Sequence, residues 1–241
     1  MATYVLVHGA WSGAHCFAKV RRLLQHDGHQ VLTPSLTGIG ERAHLTGPQV
    51  DLSTHVWDVS NAVLYEDLSE VVLLGFSYGG MVVSGAMTHL ADRVTELVFL
   101  DAFVPADGES LADLADLTGT GGAGGGLVGL GNDWLVPPLP RDYEDPADVE
   151  QANARRVPHP VGCFLEPVAL PRPLEELDVG LTYIKATGEP RPEGGGAFWD
   201  ADDRARSSAR WRRFEIATDH MVPYNRPHEL AEVLRQVAPT G

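Results

Sequence analysis

Short apolar runs alternate with amphipathic stretches through the first hundred residues. The runs Thr3–Val7, 30–33, 71–74 and Val94–Leu100 are rich in Val and Leu, the composition of buried strands. Between the first two, residues 15–27 place Phe17, Val20, Leu23 and Leu24 at helical spacing, and Gly28 stops the pattern. A second helix, capped by Asp51 or Ser53, carries Val56, Val59, Val63 and Leu64 on one side. A third apolar stripe, Val82, Val83, Ala86 and Leu90, follows residues 71–74 directly. Strand and helix alternating at this interval predict an α/β fold, a mostly parallel sheet with helices on both faces and right-handed crossovers.

The pattern breaks at Pro105. From there to about residue 173 the chain is rich in Pro and Gly, with a Gly tract from Gly119 to Gly131 that holds no fixed helix. Short helices are expected over 110–117 and 146–155. An irregular excursion this long, placed between sheet strands, is expected to be a lid or pocket wall rather than a floppy surface loop. Trp134, Leu135, Val136 and Phe164 favour the former, since each needs a surface to pack on. Strands resume at Gly180–Ala186 and Trp211–Ile216, and Pro227 opens a terminal helix through Leu230, Val233, Leu234 and Val237. With no internal repeat, one domain over 1–241 is expected.

Composition narrows the partners. The chain has 241 residues, 18 Lys and Arg against 33 Asp and Glu, and a net charge of −15. Nucleic acid needs basic clusters, so no nucleic-acid partner is expected. The arginines at 204, 206, 210, 212 and 213 are the one basic run, and Asp200, Asp202 and Asp203 offset it into a solvated face. No apolar run approaches a membrane span, and the first one lacks the basic lead-in of a secretory signal. Cys16 and Cys163 have neither metal nor disulfide-framework spacing. The expectations are a cytoplasmic location, no membrane association, no metal and no cofactor.

The chemistry centres on Gly75-Phe76-Ser77-Tyr78-Gly79-Gly80. A serine between glycines at minus two and plus two, after an apolar strand and before a helix, is the nucleophile-elbow pattern. The serine sits on a tight strand-to-helix turn, and the helix N-terminus behind it brings free amides and a positive dipole end. A serine hydroxyl needs a base, and the base needs an acid to hold its tautomer. Of ten histidines, His220 alone falls in the loop after the last strand. Two acids compete. Asp101 ends the strand after the nucleophile strand, a short and stiff placement. Glu189 follows the next strand, in a soft loop before Gly194, Gly195 and Gly196. Asp101 is preferred. Two backbone amides, of Ala10 after the first strand and of Tyr78 after the nucleophile, are expected to form an oxyanion hole. His8 is read as holding its loop by hydrogen bonds.

The run Tyr4-Val5-Leu6-Val7-His8-Gly9-Ala10-Trp11, the elbow and the tail Asp219-His220-Met221 resemble the α/β-hydrolase family over essentially the whole chain. Within it, they are most similar to the branch of plant methyl-ester esterases, hydroxynitrile lyases and related bacterial esterases. The resemblance implies Ser77 as nucleophile, His220 as base and the amides of Ala10 and Tyr78 as oxyanion donors. Bacterial members with the phrase Leu100-Asp101-Ala102-Phe103-Val104-Pro105 support Asp101 as the acid, whereas the plant-type position falls near Glu189. Lyases of the branch carry lysine after the base, where this chain has Met221. Relatives with an aspartate nucleophile are set aside by Ser77.

The expected activity is therefore a carboxylesterase reaction on a small-molecule ester or thioester. Trp11, Phe76, Tyr78, Phe103, Trp134 and Phe164 are expected to form a mainly apolar pocket for bulky or aromatic, uncharged substrates. Three alternatives stay open: a thioesterase or lactone-forming cyclase, a cofactor-free lyase using the histidine base, and a non-catalytic ligand-binding protein. A homodimer through the sheet edges is compatible with the pattern.

Overall fold

The computed structural model describes residues 1–117, 134–138 and 140–239. Six strands form one parallel sheet: β1 (Thr3–Val7), β2 (Gln30–Leu32), β3 (Val71–Phe76), β4 (Val94–Leu100), and two later strands, Gly180–Ala186 and Trp211–Ile216. Between β4 and those two lies a two-stranded antiparallel ribbon, β5 (Leu135–Val136) with β6 (His159–Pro160), which makes the later sheet strands β7 and β8. The sheet order is β2-β1-β3-β4-β7-β8, with every pairing parallel. The sheet and its flanking helices are those expected from the alternating pattern.

Strand alternation divides the core. Val5, Val7, Val71 and Leu73 face one hydrophobic cluster, and Tyr4, Leu6, Val72 and Leu74 face another. Helices α1 (Ala18–His26), α2 (Leu52–Leu64) and α3 (Gly79–Leu90) cover the sheet, α2 and α3 on the first face through Val56, Val59, Met81 and Val82. On the second face Val20 and Leu24 of α1 meet Leu230 and Leu234 of the last helix, Pro227–Val237. Asp51 is the cap of α2, its carboxylate accepting from the Thr54 amide at 2.8 Å. Ser53 instead gives its amide and hydroxyl to Glu166.

The excursion after β4 carries α4 (Leu111–Leu114), α5 (Pro146–Asn153) and α6 (Gly162–Leu165) around the ribbon. The first is half the expected length; the second runs close to the expected span. The Gly tract of 119–131 lies outside the described residues. The excursion is fastened to the loop after β1. The Val157 amide donates to the Trp11 carbonyl at 3.1 Å, and the Trp11 indole donates to the Val136 carbonyl at 3.0 Å.

Helices α6, α7 (Ala197–Ser207) and α8 (Val222–Asn225) had no counterpart in the sequence, and α7 is the longest of them. It follows Gly194–Gly196, and α8 and α9 (Pro227–Val237) close the chain. The acid–arginine run assigned to a solvated face lies on α7 and β8, and Asp202 within it is fully buried. Its carboxylate accepts from Arg213 at 2.5 and 2.9 Å and from Arg206 at 3.0 Å. Phe198 is the one large apolar residue of α7 in the first hydrophobic cluster, beside Ala197, Ala201 and Ala205, too few to announce a helix. Among the described residues no helix is long and apolar enough to cross a membrane.

Candidate active site

In a sheet of this order, ligands bind beyond the carboxyl ends of the strands, where the winding reverses between β1 and β3. Ser77 stands there, directly after β3, with φ 56°. A non-glycine residue in this left-handed region carries roughly 1–2 kcal/mol of strain, which the surrounding hydrogen bonds must hold. The Ser77 amide donates to Leu100 at 3.2 Å, and its carbonyl accepts from Gly80 at 3.1 Å and Phe103 at 3.3 Å. The turn closes because Gly75 has no side chain: a Cβ there would lie 2.5 Å from the Gly79 carbonyl oxygen. Gly9 lets the β1 loop approach equally closely, its absent Cβ falling 2.9 Å from that of Ser77.

His220 reaches this point from β8, three strands away. Its loop is pinned by the Gly188 amide on the Thr218 carbonyl at 2.7 Å. The Asp219 carboxylate accepts from the Met221 amide and from Asn225 at 2.7 and 2.8 Å. The imidazole lies between Phe76 and Phe198, at centroid distances of 4.8 and 4.9 Å. Its Nδ1 is 2.7 Å from Asp101 Oδ2, so Nδ1–H donates to the carboxylate and Nε2 is left with its lone pair. Ser77 and His220 line the same cavity, of about 20 Å³.

Asp101 ends β4 with φ 39° and is 2% exposed. Its second oxygen, Oδ1, accepts from Lys185 Nζ at 2.6 Å and from the Ala186 amide at 3.3 Å. Lys185, on β7, is itself buried, donates to the Ala186 carbonyl at 2.7 Å and lies 4.4 Å from the Trp199 ring centre. Burial alone would raise the Asp101 carboxyl, but the hydrogen bond and charge of His220, with the Lys185 ammonium, outweigh it and hold it below its ordinary value. Glu189 is exposed at the rim of a larger chamber and makes no hydrogen bond to His220 among the described residues.

The amides of Ala10 and Tyr78 donate to no carbonyl or side chain among the described residues, which leaves both free to meet an oxyanion. Three buried imidazoles brace the loops that carry them. His8 Nε2 accepts from the Leu36 amide at 3.1 Å, and its Nδ1 donates to the Gly9 carbonyl at 2.9 Å. His55 Nε2 donates to the Thr37 carbonyl at 2.8 Å, and Nδ1 accepts from the Tyr78 hydroxyl at 2.8 Å. His159 Nδ1 accepts from the Trp11 amide at 3.3 Å, and its ring stacks on Phe164 at 4.6 Å. His55, His159 and Cys163 converge within 4.8 Å. The two ring nitrogens of His55 are already committed, one as donor and one as acceptor, so this donor set does not suit a cation.

Desolvation lowers His8 and His55 to about 4 and His159 well below the usual imidazole range. The unfolded chain takes up the protons of His8 and His55 near pH 6.5, whereas the folded chain waits until about pH 4. Stability therefore falls as pH drops through that window, by roughly 2 kcal/mol each for His8 and His55 by pH 5. Thermal unfolding should show a midpoint lower at pH 5 than at pH 7 by on the order of ten degrees. A midpoint flat across that range would mean that these rings are hydrated and brace nothing.

The expected pocket needs correction. Trp11 and Phe76 line the small cavity, and Phe103 lines the larger chamber of about 300 Å³ beside His220. Phe164 and the Tyr78 ring are packed inside, 5.7 Å apart and against His159, because the ribbon closes over them. Trp134 is half-buried and lines neither cavity, meeting the Val161 amide through its carbonyl. The lining is mainly apolar as expected, but Arg141 and Arg156 interrupt it in the cavity that holds Ser77. Sequence reasoning missed both arginines, which sit in the irregular excursion, and Phe198 on the unrecognised α7. Lys185 had a signal: a lysine inside the apolar run Leu181-Thr182-Tyr183-Ile184-Lys185-Ala186 has to find a buried partner.

Known proteins resemble this chain at three levels. The Alpha/beta hydrolase family model matches residues 4–233. A carbendazim hydrolyzing esterase of Nocardioides sp. (strain SG-4G) is 50% identical over 114 residues, which cover 47% of this chain and 47% of that protein. Methylesterase 2 of Arabidopsis thaliana is 33% identical over 113 residues, 42% of this chain and 40% of that one. The chain thus spans about half the length, or less, of the curated relatives it matches. Among solved structures, an extracellular alpha/beta-hydrolase from a Paenibacillus species superposes with a TM-score of 0.79 at 22% identity, covering all of both chains. A methylesterase from Arabidopsis does so with 0.73 at 23%, covering 98% of each. At these identities the superpositions establish the fold.

Proposed function

Because this chain belongs to the alpha/beta hydrolase family, we propose that it hydrolyses carboxylic esters, with Ser77 as nucleophile, His220 as general base and Asp101 as its acid. The observation that carries the reading is the His220–Asp101 contact of 2.7 Å, made by an imidazole that shares a cavity with a serine on a strained elbow. Esterase and methylesterase names among the relatives agree with it.

In this reading, Nε2 of His220 takes the Ser77 proton as Oγ attacks the ester carbonyl. The tetrahedral oxyanion lies against the amides of Ala10 and Tyr78, which need no reorganisation to receive it. The imidazolium, stabilised by Asp101, then protonates the leaving alcohol, and the acyl-serine forms. Water enters by the same route in reverse: His220 takes its proton as its oxygen bonds to the acyl carbon, the acyl–Oγ bond then breaks to release the acid, and Ser77 recovers its proton from His220. Phe76 and Phe198 fix the ring plane through both halves, so the base turns through no rotamer between steps.

Two measurements test this together. A fluorophosphonate should label the folded protein on Ser77 alone, and methyl and aryl esters of graded size should be turned over. Failure to label Ser77 in folded protein would leave a ligand-binding role as the better reading. Labelling with no turnover of any ester would move the reaction to acyl transfer onto another hydroxyl.

A further inference from the structure

The chain carries an excess of 15 acidic charges, and nine of its sixteen arginines pair with a carboxylate among the described residues. Arg42 sits on Asp58, Arg204 on Glu175, Arg212 on Glu96, Arg213 on Asp202 and Arg226 on Glu144. Arg141 and Arg156 form no ion pair among the described residues, although both are half-buried and both line the cavity that holds Ser77 and His220. A guanidinium withdrawn from water without a countercharge is unfavourable unless something else repays it.

Neither is there by slack. The Arg141 backbone is clamped by Asn153 of α5, whose side chain accepts from its amide at 3.1 Å and donates to its carbonyl at 2.8 Å. Arg156 lies over the Trp11 ring, 5.7 Å from its centre, and its Nε is buried with no hydrogen-bond partner among the described residues. Such a donor calls for an acceptor atom, which a ligand can bring. Of the two acids that line the larger chamber, Glu189 is exposed at its rim and Asp101 is buried and already occupied. Asp101 is held by Lys185 and His220, and Glu144 by Arg226 and the Thr218 hydroxyl. Arg141 also lines the larger chamber, where Phe103, Phe198 and Trp199 offer aromatic surface.

Resting on the serine-esterase reading, we propose that the substrates of this site are esters that carry a carboxylate close to the scissile carbonyl. Arg141 and Arg156 receive the carboxylate, and an aromatic or apolar body fills the chamber beside His220. The half-ester of an aromatic dicarboxylic acid has this shape. Arginine suits the task because its planar fork matches a carboxylate in geometry as well as charge. The hydrolysis itself is unchanged: the ester C–O bond breaks, the alcohol leaves with the proton from His220, and the carboxylate takes no part in bond making.

The test compares monomethyl isophthalate with methyl 3-acetylbenzoate, which has the same single methyl ester but an uncharged acetyl group in place of the carboxylate. Wild type should prefer the carboxylate by at least about tenfold in kcat/KM, roughly one charge-assisted contact. Added salt should shrink that preference in the wild type alone, with no variant needed. Arg141→Gln and Arg156→Gln should each lower the ratio by about tenfold, with partial recovery in Arg156→Lys. Isophthalate should also protect Ser77 from the fluorophosphonate in wild type and less in either Gln variant. Ser77-dependent turnover that is equal for the two esters, or better for the acetyl one, would overturn the inference and leave the esterase reading standing. So would labelling of Ser77 that isophthalate does not slow. Absence of both labelling and turnover would overturn the two together.

Discussion

Ser77→Ala is expected to abolish ester turnover while leaving the fold intact, lowering kcat by roughly 10⁴–10⁶. The magnitude follows from what is lost and what remains. Without Oγ no acyl intermediate forms, and His220 has only water to activate. The amides of Ala10 and Tyr78 still stand where an oxyanion would lie, so a small rate above background should survive. Stability should move little, because the elbow is held by the backbone bonds of Ser77 to Leu100, Gly80 and Phe103 rather than by its hydroxyl. Burst kinetics with an activated aryl ester and a thermal melt separate the two effects. A variant that keeps even a tenth of wild-type turnover would remove Ser77 from the role of nucleophile.

Asp101→Asn should be nearly as damaging, with a loss of about 10³–10⁴ in kcat, while Glu189→Gln stays within about twofold of wild type. An amide in place of the carboxylate turns the His220 tautomer or leaves its imidazolium without a countercharge. The buried Lys185 complicates the reading, since Asp101 is its partner too. Asn would strand that ammonium and lower stability by about 3–5 kcal/mol, the usual consequence of leaving one buried ion alone. The double change Asp101→Asn with Lys185→Met removes the stranded charge. It should restore the melting temperature and none of the activity. If the double variant regains turnover with stability, Asp101 serves the fold and another group orients the histidine. If Glu189→Gln is the damaging change, the acid belongs to the β7 loop.

The sheet was readable because its strands are short and nearly all apolar, and because each helix between them keeps its own stripe and stop. Asp51 and Gly28 mark helix ends in the sequence and in the structure alike. Ser77, His220 and Asp101 were readable because each stands at the end of a strand that the apolar pattern locates. The lining of the cavities beside Ser77 and His220 was not, and the reason is physical. It comes in part from the excursion and from α7, where few large side chains face inward and tertiary contacts rather than periodicity fix the path. Trp134 and Phe164 looked like pocket residues because they are large and aromatic, yet the ribbon β5–β6 closes over Phe164 and its neighbours and turns that cluster into core. Arg141 and Arg156 lie among polar neighbours in the sequence, and nothing there distinguishes them from surface charge. Only the cavity they share with Ser77 does.

With the His220 ring held by Asp101 at the end of β4, no residue between 187 and 197 has to hold it, and that stretch contributes instead to the rim of the larger chamber. In the proposed mechanism the groups that would move protons stand outside residues 189–196, and Phe198, just beyond them, both stacks on His220 and lines the chamber. Under that mechanism, a side-chain library confined to Glu189–Gly196 should change which esters enter while leaving the proton relay in place, provided the length of the stretch keeps Phe198 on the His220 ring. A hydrolase whose acid sits in that loop offers no such freedom, because every insertion would displace the group that orients its base.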